Sequence, residues 1–260
     1  MLFFICIFIK VSYLFVFRSV LYNFLGEPKY MTVSTENYLK TIVTHYVNTN
    51  EEIRTTQLSE LLNVKPASVT EMIKKLSEKK LISHVPYQGI HLTKQGQEFG
   101  LKVLRRHRLL ELFLSKCLAV SWDDVHEEAE RLEHAVSDMV IDKIDEFLNF
   151  PKFDPHGDPI PQKDGHYPNY KSVARLVDID CDCVGQIVRI SNDNKSFLTY
   201  ITSIKCNIGT DIQVIKKYDF DNSIDIKIDS TVFHISEFVT HHIWVIPIKN
   251  KKVVRNEKNN

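Results

Sequence analysis

TTQLSELLNVKPASVTEMIKKLSEKKLISHVPYQGIHLT, residues 55–93, is the stretch that decides how the first third of this chain folds. Thr55 to Asn63 has the spacing of a short helix, and Val64-Lys65 begins a tight turn. Pro66 suits the first position of the next helix, where a missing N–H costs nothing and φ is already set. In PASVTEMIKKLSEKKL, Val69, Met72, Ile73 and Leu76 recur at helical spacing and face inward, which leaves Ser68, Thr70, Glu71, Lys74 and Lys75 outward. A short helix, a turn and a helix with a polar, basic exposed face make a helix-turn-helix, whose second helix enters the DNA major groove. Leu81 to Thr93 then gives two short apolar strands around Gln88-Gly89, a hairpin attached to that helix, so the unit reads as a winged helix. The plainer alternative is a small helical domain whose lysines only solubilise it. The hairpin and the charge pattern below weigh against that alternative.

On either side the pattern stays helical. TENYLKTIVTHYV (35–47) places Tyr38, Leu39, Ile42, Val43 and Tyr46 on one face, with Ser34 or Thr35 expected as N-cap. Thr93 can cap a long helix running through QEFGLKVLRRHRLLELFLSKCL, with Phe99, Val103, Leu104, Leu110, Phe113 and Leu114 apolar. His107 and Glu111 sit on it one turn apart, a spacing that surface pairs use more often than ligand pairs do.

HEEAERLEH, residues 126–134, carries the chemistry. On a helix, His126, Glu130, Glu133 and His134 form one stripe of two imidazoles and two carboxylates. Leu132, Ala135, Val136, Met139 and Val140 are expected to supply the apolar positions of the same helix, so that the stripe borders the core. A solvated acidic face is the ordinary reading of a charge run. Two histidines within it, and further His and carboxylate residues on other segments, favour metal ligation. The zinc-protease motif is excluded, because Glu130 stands where that motif requires a second His.

Composition bounds the rest. The 260 residues, 43% hydrophobic and 25% charged, suit two or three small domains of a soluble protein. Formal net charge is zero, but the charges are segregated. From Val64 to Arg108 there are ten Lys or Arg against three acids, and from Trp122 to Leu148 ten acids against Arg131 and Lys143. The first segment suits a polyanion and the second suits cations. Five cysteines lack the spacing of a disulfide framework and point to a reducing, cytoplasmic setting. Cys181 and Cys183, placed on a strand, would point to opposite faces and are taken as ordinary thiols. Residues 1–30 are apolar, but Lys10 and Arg18 divide them into pieces too short to span a bilayer. They read as a poor membrane anchor, an extra hydrophobic helix, or translated sequence ahead of a start at Met31. The last is expected, and a membrane partner follows only if the segment belongs to the protein.

Beyond Leu148, NFPKFDPHGDPIPQKDGHYPNY holds five prolines and two glycines in 22 residues, with Asp154 and His156 at its centre. No regular element tolerates that composition, so it reads as a structured crossing or linker. From Lys171 to Lys249, short alternating segments (SVARLVDID, CVGQIVRIS, FLTYITSI, DIQVIKKYD, IDIKID, THHIWVIPIK) suggest a small β-barrel. The expected fold is α+β and multidomain: a hydrophobic extension 1–30, a winged helix-turn-helix 31–95, a helical metal-binding and dimerisation domain 96–160, a linker 161–170, a small SH3-like β-barrel 171–250 and a disordered tail 251–260.

In this order, TENYLKTI, KPASVTEMIKKL, GIHLTKQG, KVLRRHRLLELFL, VHEEAERLEHAVSD and FPKFDPHGDPIP make residues 31–250 resemble the diphtheria toxin repressor family of metal-dependent transcriptional regulators, in its manganese-transport branch with an SH3-like third domain. The resemblance implies a primary metal site of Glu130, Glu133 and His134 joined by Asp154, His156 and Asn37. It implies an ancillary site of His107, Glu111 and His126, with Asp193 from the third domain, and DNA recognition positions at Lys65, Ala67, Ser68 and Glu71. Two departures stand out: Asp154 replaces the usual Cys, and Asn37, in place of Asp or Met, can ligate only through an amide oxygen. Such hard donors favour Mn(II) or Fe(II), while Zn(II) binds tightly by intrinsic affinity order. The implied partners are double-stranded DNA carrying a palindromic operator and a second copy of the chain, with no small-molecule substrate. Without metal the carboxylates are expected to repel one another and leave the domains freer. A metalloenzyme is the competing class, and no nucleophile motif or Gly-rich phosphate loop supports it. A DNA-binding protein indifferent to metal is the third reading.

Overall fold

The computed structural model describes residues 31–85, 89–168, 172–192 and 194–248. The hydrophobic extension 1–30, the turn residue Gln88, Asp193 and the tail 251–260 lie outside these described residues. Helix α1 runs Val33–Thr49 and is capped by Thr32, whose Oγ1 accepts from the Thr35 amide at 3.2 Å. The cap therefore falls two residues before the earlier of the expected positions, and the chain leaves the helix through Asn50 in the left-handed region. Helices α2 (Thr55–Leu61) and α3 (Pro66–Glu78) follow, with Val69, Ile73 and Leu76 of α3 buried against Leu39, Ile42 and Leu58. Strands β1 (Ile82–Val85) and β2 (Gly89–Leu92) pair antiparallel from Ile82↔Leu92 to Val85↔Gly89, giving the wing.

Helix α4 (Lys94–Leu118) opens on Thr93, whose hydroxyl oxygen accepts from the Gly96 amide. Its 25 residues span about 37 Å at 1.5 Å each. Leu101 and Leu104, in its first half, pack with Val43 of α1, whereas Leu109, Leu110, Leu112 and Leu114 enter a second core with Val125, Ala129, Ile141 and Ile144. One rod thus belongs to two packing units. The acidic stripe does not lie on a single continuous helix. Helix α5 (Val125–Leu132) stops there, a turn carries Glu133 and His134, and α6 (Asp138–Phe147) restarts at Ser137, whose hydroxyl caps the Val140 amide. Ser-Asp competes for backbone amides and restarts a helix where uninterrupted periodicity had suggested one. Ala135, Met139 and Val140 are consequently exposed, as are Leu132, Phe147 and Phe150, so these apolar positions do not border the core.

The third unit is one antiparallel sheet in the order β3-β8-β4-β5-β6-β7: β3 Ala174–Arg175, β4 Val184–Ile190, β5 Asp211–Lys217, β6 Ile224–Ile228, β7 Thr231–Ile235 and β8 Ile243–Ile248. FLTYITSI, expected as a strand, forms helix α7 (Lys195–Ser203), because Asn194 caps it and Phe197, Leu198 and Ile201 share one buried face. Its β-favouring Thr and Ile residues were overridden by that packing. SVARLVDID contributes only β3 and a 3₁₀ turn at Leu176–Asp178, and a short helix α8 (Glu237–His241) precedes β8. Cys181 lies in the turn before β4 and Cys183 directly precedes that strand, so neither is on a strand.

Cys206 is fully buried and its thiol is pushed up to about 12 by burial, whereas Cys117 and Cys181 are exposed. A chromogenic disulfide reagent mapped by mass spectrometry is expected to modify Cys117 and Cys181 in the native protein, and Cys206 only after unfolding.

Candidate metal centre

Most of the expected ligands, though not Glu133 or His134, line one cavity of about 650 Å³, bounded by Asn37 and Lys40 of α1, His107, Arg108 and Glu111 of α4, His126 and Glu130 of α5, Asp154, His156 and Asp158 of the proline-rich crossing, and Arg189 of β4. All three units therefore face it. Within it, His107, Glu111 and His126 each offer a donor atom within 4.8 Å of the others. The distances are 3.0 Å from His107 Nε2 to Glu111, 3.1 Å from His126 Nδ1 to Glu111, and 3.1 Å between the two imidazoles. Asp193, the fourth member implied for this group, lies outside the described residues.

The other expected set is arranged differently. Glu133 is completely buried. One of its oxygens accepts from Lys40 Nζ at 2.8 Å and lies 3.2 Å from His134 Nε2, while the other accepts from His107 Nδ1 at 2.6 Å. Lys40 also donates to Glu130 at 2.9 Å. His134 Nδ1 lies 2.5 Å from Glu36 on α1. Asp154 and His156 lie near Glu111: His156 contributes to the field at Glu111, and Glu111 to that at Asp154. Glu130, Glu133 and His134 are thus held to α1, and Asp154 and His156 approach from the crossing; among the described residues these five do not close into one ligand group.

Electrostatics follow from burial and neighbours. Burial alone would lower His107, but Glu111 and Glu133 outweigh it and raise it to about 9, so both ring nitrogens can donate to carboxylates. Glu111 is disfavoured as an anion by burial, yet His107 and His126 hold it well below the ordinary carboxylate range. Asp154 moves the other way, raised well above its usual value by burial and by Asp158 and Glu111. The expectation of a self-repelling carboxylate cluster is therefore corrected in part. Lys40 and His107 pair with Glu130, Glu133 and Glu111, whereas Asp154, with Arg108 Nε at 3.6 Å, stays raised by burial and by Asp158 and Glu111.

The crossing is seated by close backbone contact. Asp154 Oδ1 accepts from the amides of His156 and Asp158, both at 2.8 Å, and the Ile190 amide donates to the His156 carbonyl at 2.9 Å. Gly157, at φ 82°, leaves no room for a side chain, since a Cβ there would meet the Val188 carbonyl oxygen at 2.0 Å. Arg108 donates to the Pro159 carbonyl and to Tyr167, and Arg189 pairs with Asp158 at 2.6 Å and donates to Asn48 of α1 at 2.9 Å. Lys65, Ala67, Ser68, Thr70, Glu71, Lys74 and Lys75, the residues expected to contact DNA, are all exposed, with Lys75 paired to Glu71 one turn away.

Sequence reasoning missed Lys40, Glu36, Arg108 and Arg189. Lys40 had a usable signal, since it lies three residues after Asn37 on the same helical face. Arg189 had none, because its partners are distant in the chain.

Residues 30–90 match the model for the iron dependent repressor N-terminal DNA binding domain, residues 93–162 that for the iron dependent repressor metal binding and dimerisation domain, and residues 174–247 the FeoA domain. A manganese-dependent transcriptional repressor solved in complex with manganese is 36% identical, superposes with a TM-score of 0.77, and is covered over 100% of its chain and 82% of this one. The chain belongs to the diphtheria toxin repressor family, in its manganese-regulator branch. An uncharacterised helix-turn-helix regulator of Methanocaldococcus jannaschii is 39% identical over 118 residues, 45% of this chain and 94% of the relative. The regulator MntR of Oceanobacillus iheyensis is 32% identical over 123 residues, 47% of this chain and 82% of the relative. The family consists of transcriptional regulators, which removes the metalloenzyme reading.

The residues suit a divalent metal on two observations. The buried Oδ1 of Asn37, on the cavity wall, accepts no hydrogen bond, and the raised Asp154 marks a place where added positive charge would be stabilising. The seating of the crossing is testable through its glycine. Gly157→Ala is expected to cost about 1–3 kcal/mol in urea unfolding and to shift the fluorescence of Trp122, whose ring stacks on His156 at 5.1 Å. An unchanged midpoint with unchanged emission would mean that the crossing is not clamped on β4.

Proposed function

We propose that this chain is a cytoplasmic repressor of metal-uptake genes that binds a palindromic operator as a homodimer when Mn(II) is bound. The observation that carries the reading is the convergence, on one cavity, of oxygen and nitrogen donors from the first helix of a winged DNA-binding unit, from the helical unit and from the crossing. The ligands assigned are Glu130, Glu133, His134, Asp154, His156 and Asn37 at the primary site and His107, Glu111 and His126 at the ancillary one, with Asp193 available to the latter. A bound divalent cation supplies charge that lets these donors approach one another. Carboxylates, an amide oxygen and imidazoles without thiolate favour Mn(II), with Fe(II) next, over soft ions, and Zn(II) competes by affinity order.

Glu130, Glu133 and His134 stand on the helical unit and Asn37 on α1, so these residues would hold the cation from both units, and its charge would tie the winged unit to the helical one. Two α3 helices can then match half-sites one helical turn, about 34 Å, apart. The exposed surface of Leu132, Met139, Val140, Phe147 and Phe150 is the contact assigned to the second copy, in keeping with the self-complementary patch that twofold symmetry requires. Lys65, Ala67, Ser68, Thr70, Glu71, Lys74 and Lys75 form the DNA face. Lys74 and Lys75 act on phosphates, and Ser68 and Glu71 are positioned for base edges.

Fluorescence anisotropy with an uptake-promoter palindrome at fixed salt, first with chelator and then with Mn(II), Fe(II) or Zn(II), tests the reading. Metal is expected to tighten binding, by a coupling of about 1–3 kcal/mol, and Glu133→Ala to abolish the effect. Binding indifferent to chelator and metal would leave a DNA-binding protein without a metal switch. Lys74→Ala is expected to weaken binding evenly across sequences and to lower the salt slope by about one. A sequence-selective loss would instead place Lys74 at a base.

A further inference from the structure

We infer that Lys40 is a tethered cation that occupies the Glu130–Glu133 carboxylate pair of the metal-free protein and weakens that pair's affinity for a divalent metal. The inference rests on the assignment of Glu130 and Glu133 as metal ligands made above. Its geometric basis is specific. Lys40 Nζ lies 2.9 Å from Glu130 Oε1 and 2.8 Å from Glu133 Oε1, the point from which a cation would be shared by both carboxylates. Glu133 is wholly buried and Lys40 nearly so. The second oxygen of Glu133 is taken by His107, so both of its oxygens are already engaged in charge-assisted hydrogen bonds.

A charge buried this deeply is costly unless it is paired, and Lys40 and His107 provide that pairing. An ammonium left beside a divalent ion would face like charge at close range in a poorly screened site. Lys40 must therefore leave the pair before Glu130 and Glu133 can ligate. Its flexible four-carbon stem permits this, and the cavity beyond it is lined by Thr44, Asn48 and Thr49, polar groups within the same helix. Asn37, one turn before Lys40, lines the same cavity with its unpaired oxygen. Helix α1 thus carries two alternative links to the helical unit. One is the ammonium of Lys40, used without metal, and the other is the amide oxygen of Asn37, available with it. Exchange between them sets the metal concentration at which the protein responds.

The test uses the full chain, stripped of metal and titrated with Mn(II) in the absence of DNA, with free Mn(II) read from its electron paramagnetic resonance signal. Glu133→Ala identifies the site, by losing one equivalent of bound metal per chain. Lys40→Met, which keeps length and removes charge, is expected to tighten that equivalent about tenfold or more, and Lys40→Arg to stay within about threefold of the parent. Lys40→Gln repeats the measurement with a second neutral side chain should Lys40→Met melt early. Affinity in the neutral variants equal to or below that of the parent, with the Glu133→Ala loss intact, overturns the role of Lys40 alone. Full metal stoichiometry in Glu133→Ala overturns the ligand assignment and the inference with it.

Discussion

A carboxylate with no exposed surface must be paired, and the arrangement of this molecule follows from how Glu133 is paired. Transfer of an ionised group into the interior costs several kcal/mol unless partners replace its water. Those partners are Lys40 from α1, His107 from α4 and the neighbouring His134, itself held by Glu36 of α1. The first helix and the long helix α4 also pack through Val43, Val47, Leu101 and Leu104, with Gly100 close against Leu39 and Val43. Charge satisfaction at Glu133 adds a polar join between α1 and the helical unit to that packing. It is also a reversible kind of join, because a cation can replace a cation.

The third unit enters through Arg189. The β4–β8 register shifts between Ile187 and Arg189, and a bulge of this kind re-aims the side chain that follows it. Arg189 then lies over the Trp244 ring, pairs with Asp158 and reaches Asn48 of α1. Asp158 also faces Arg108 of α4 at 3.4 Å. One guanidinium thus contacts the crossing that carries Asp154 and His156 and the helix that carries Asn37. Gly157 allows the crossing to approach β4 closely enough for this contact to form. The sheet serves as a wall against which one side of the metal cavity is held.

What could be read from the sequence was what depended on local pattern. Pro66, the 3.6-residue spacing of Val69, Ile73 and Leu76, and the pair of short strands around residue 88 specify the winged helix without help from the rest of the chain. His107, Glu111 and His126 were legible as ligand types, and folding brings them together across a 15-residue separation between Glu111 and His126. The break after Leu132 was not legible, because Ser137 acts as a cap only if the preceding turn is free to unwind. Helix α7 was misread because Thr, Ile, Phe and Tyr favour strands until burial of one face decides otherwise. Lys40 had its place beside Asn37 as a signal, but a lysine on an amphipathic helix ordinarily faces water, and its partners here lie 90 and 93 residues away.

The position of Lys40 and Asn37 matters because of what α1 is packed against. Tyr38, Leu39 and Ile42 share one core with Val69, Ile73 and Leu76 of α3. Interiors packed at this density transmit displacement and do not absorb it. A change in how α1 is tied to the helical unit would therefore be felt at α3 through their shared core. The opposite face of α3 is free of core contacts and bears the exposed lysines, so it can present that change to DNA. Half-site spacing on a duplex tolerates little error, and a small reorientation of two such helices in a dimer alters how many phosphates both can reach together. Coupling between metal and DNA then needs no change of fold. It needs only that the link at α1 be made by one cation or by another, and that the core behind it stay packed.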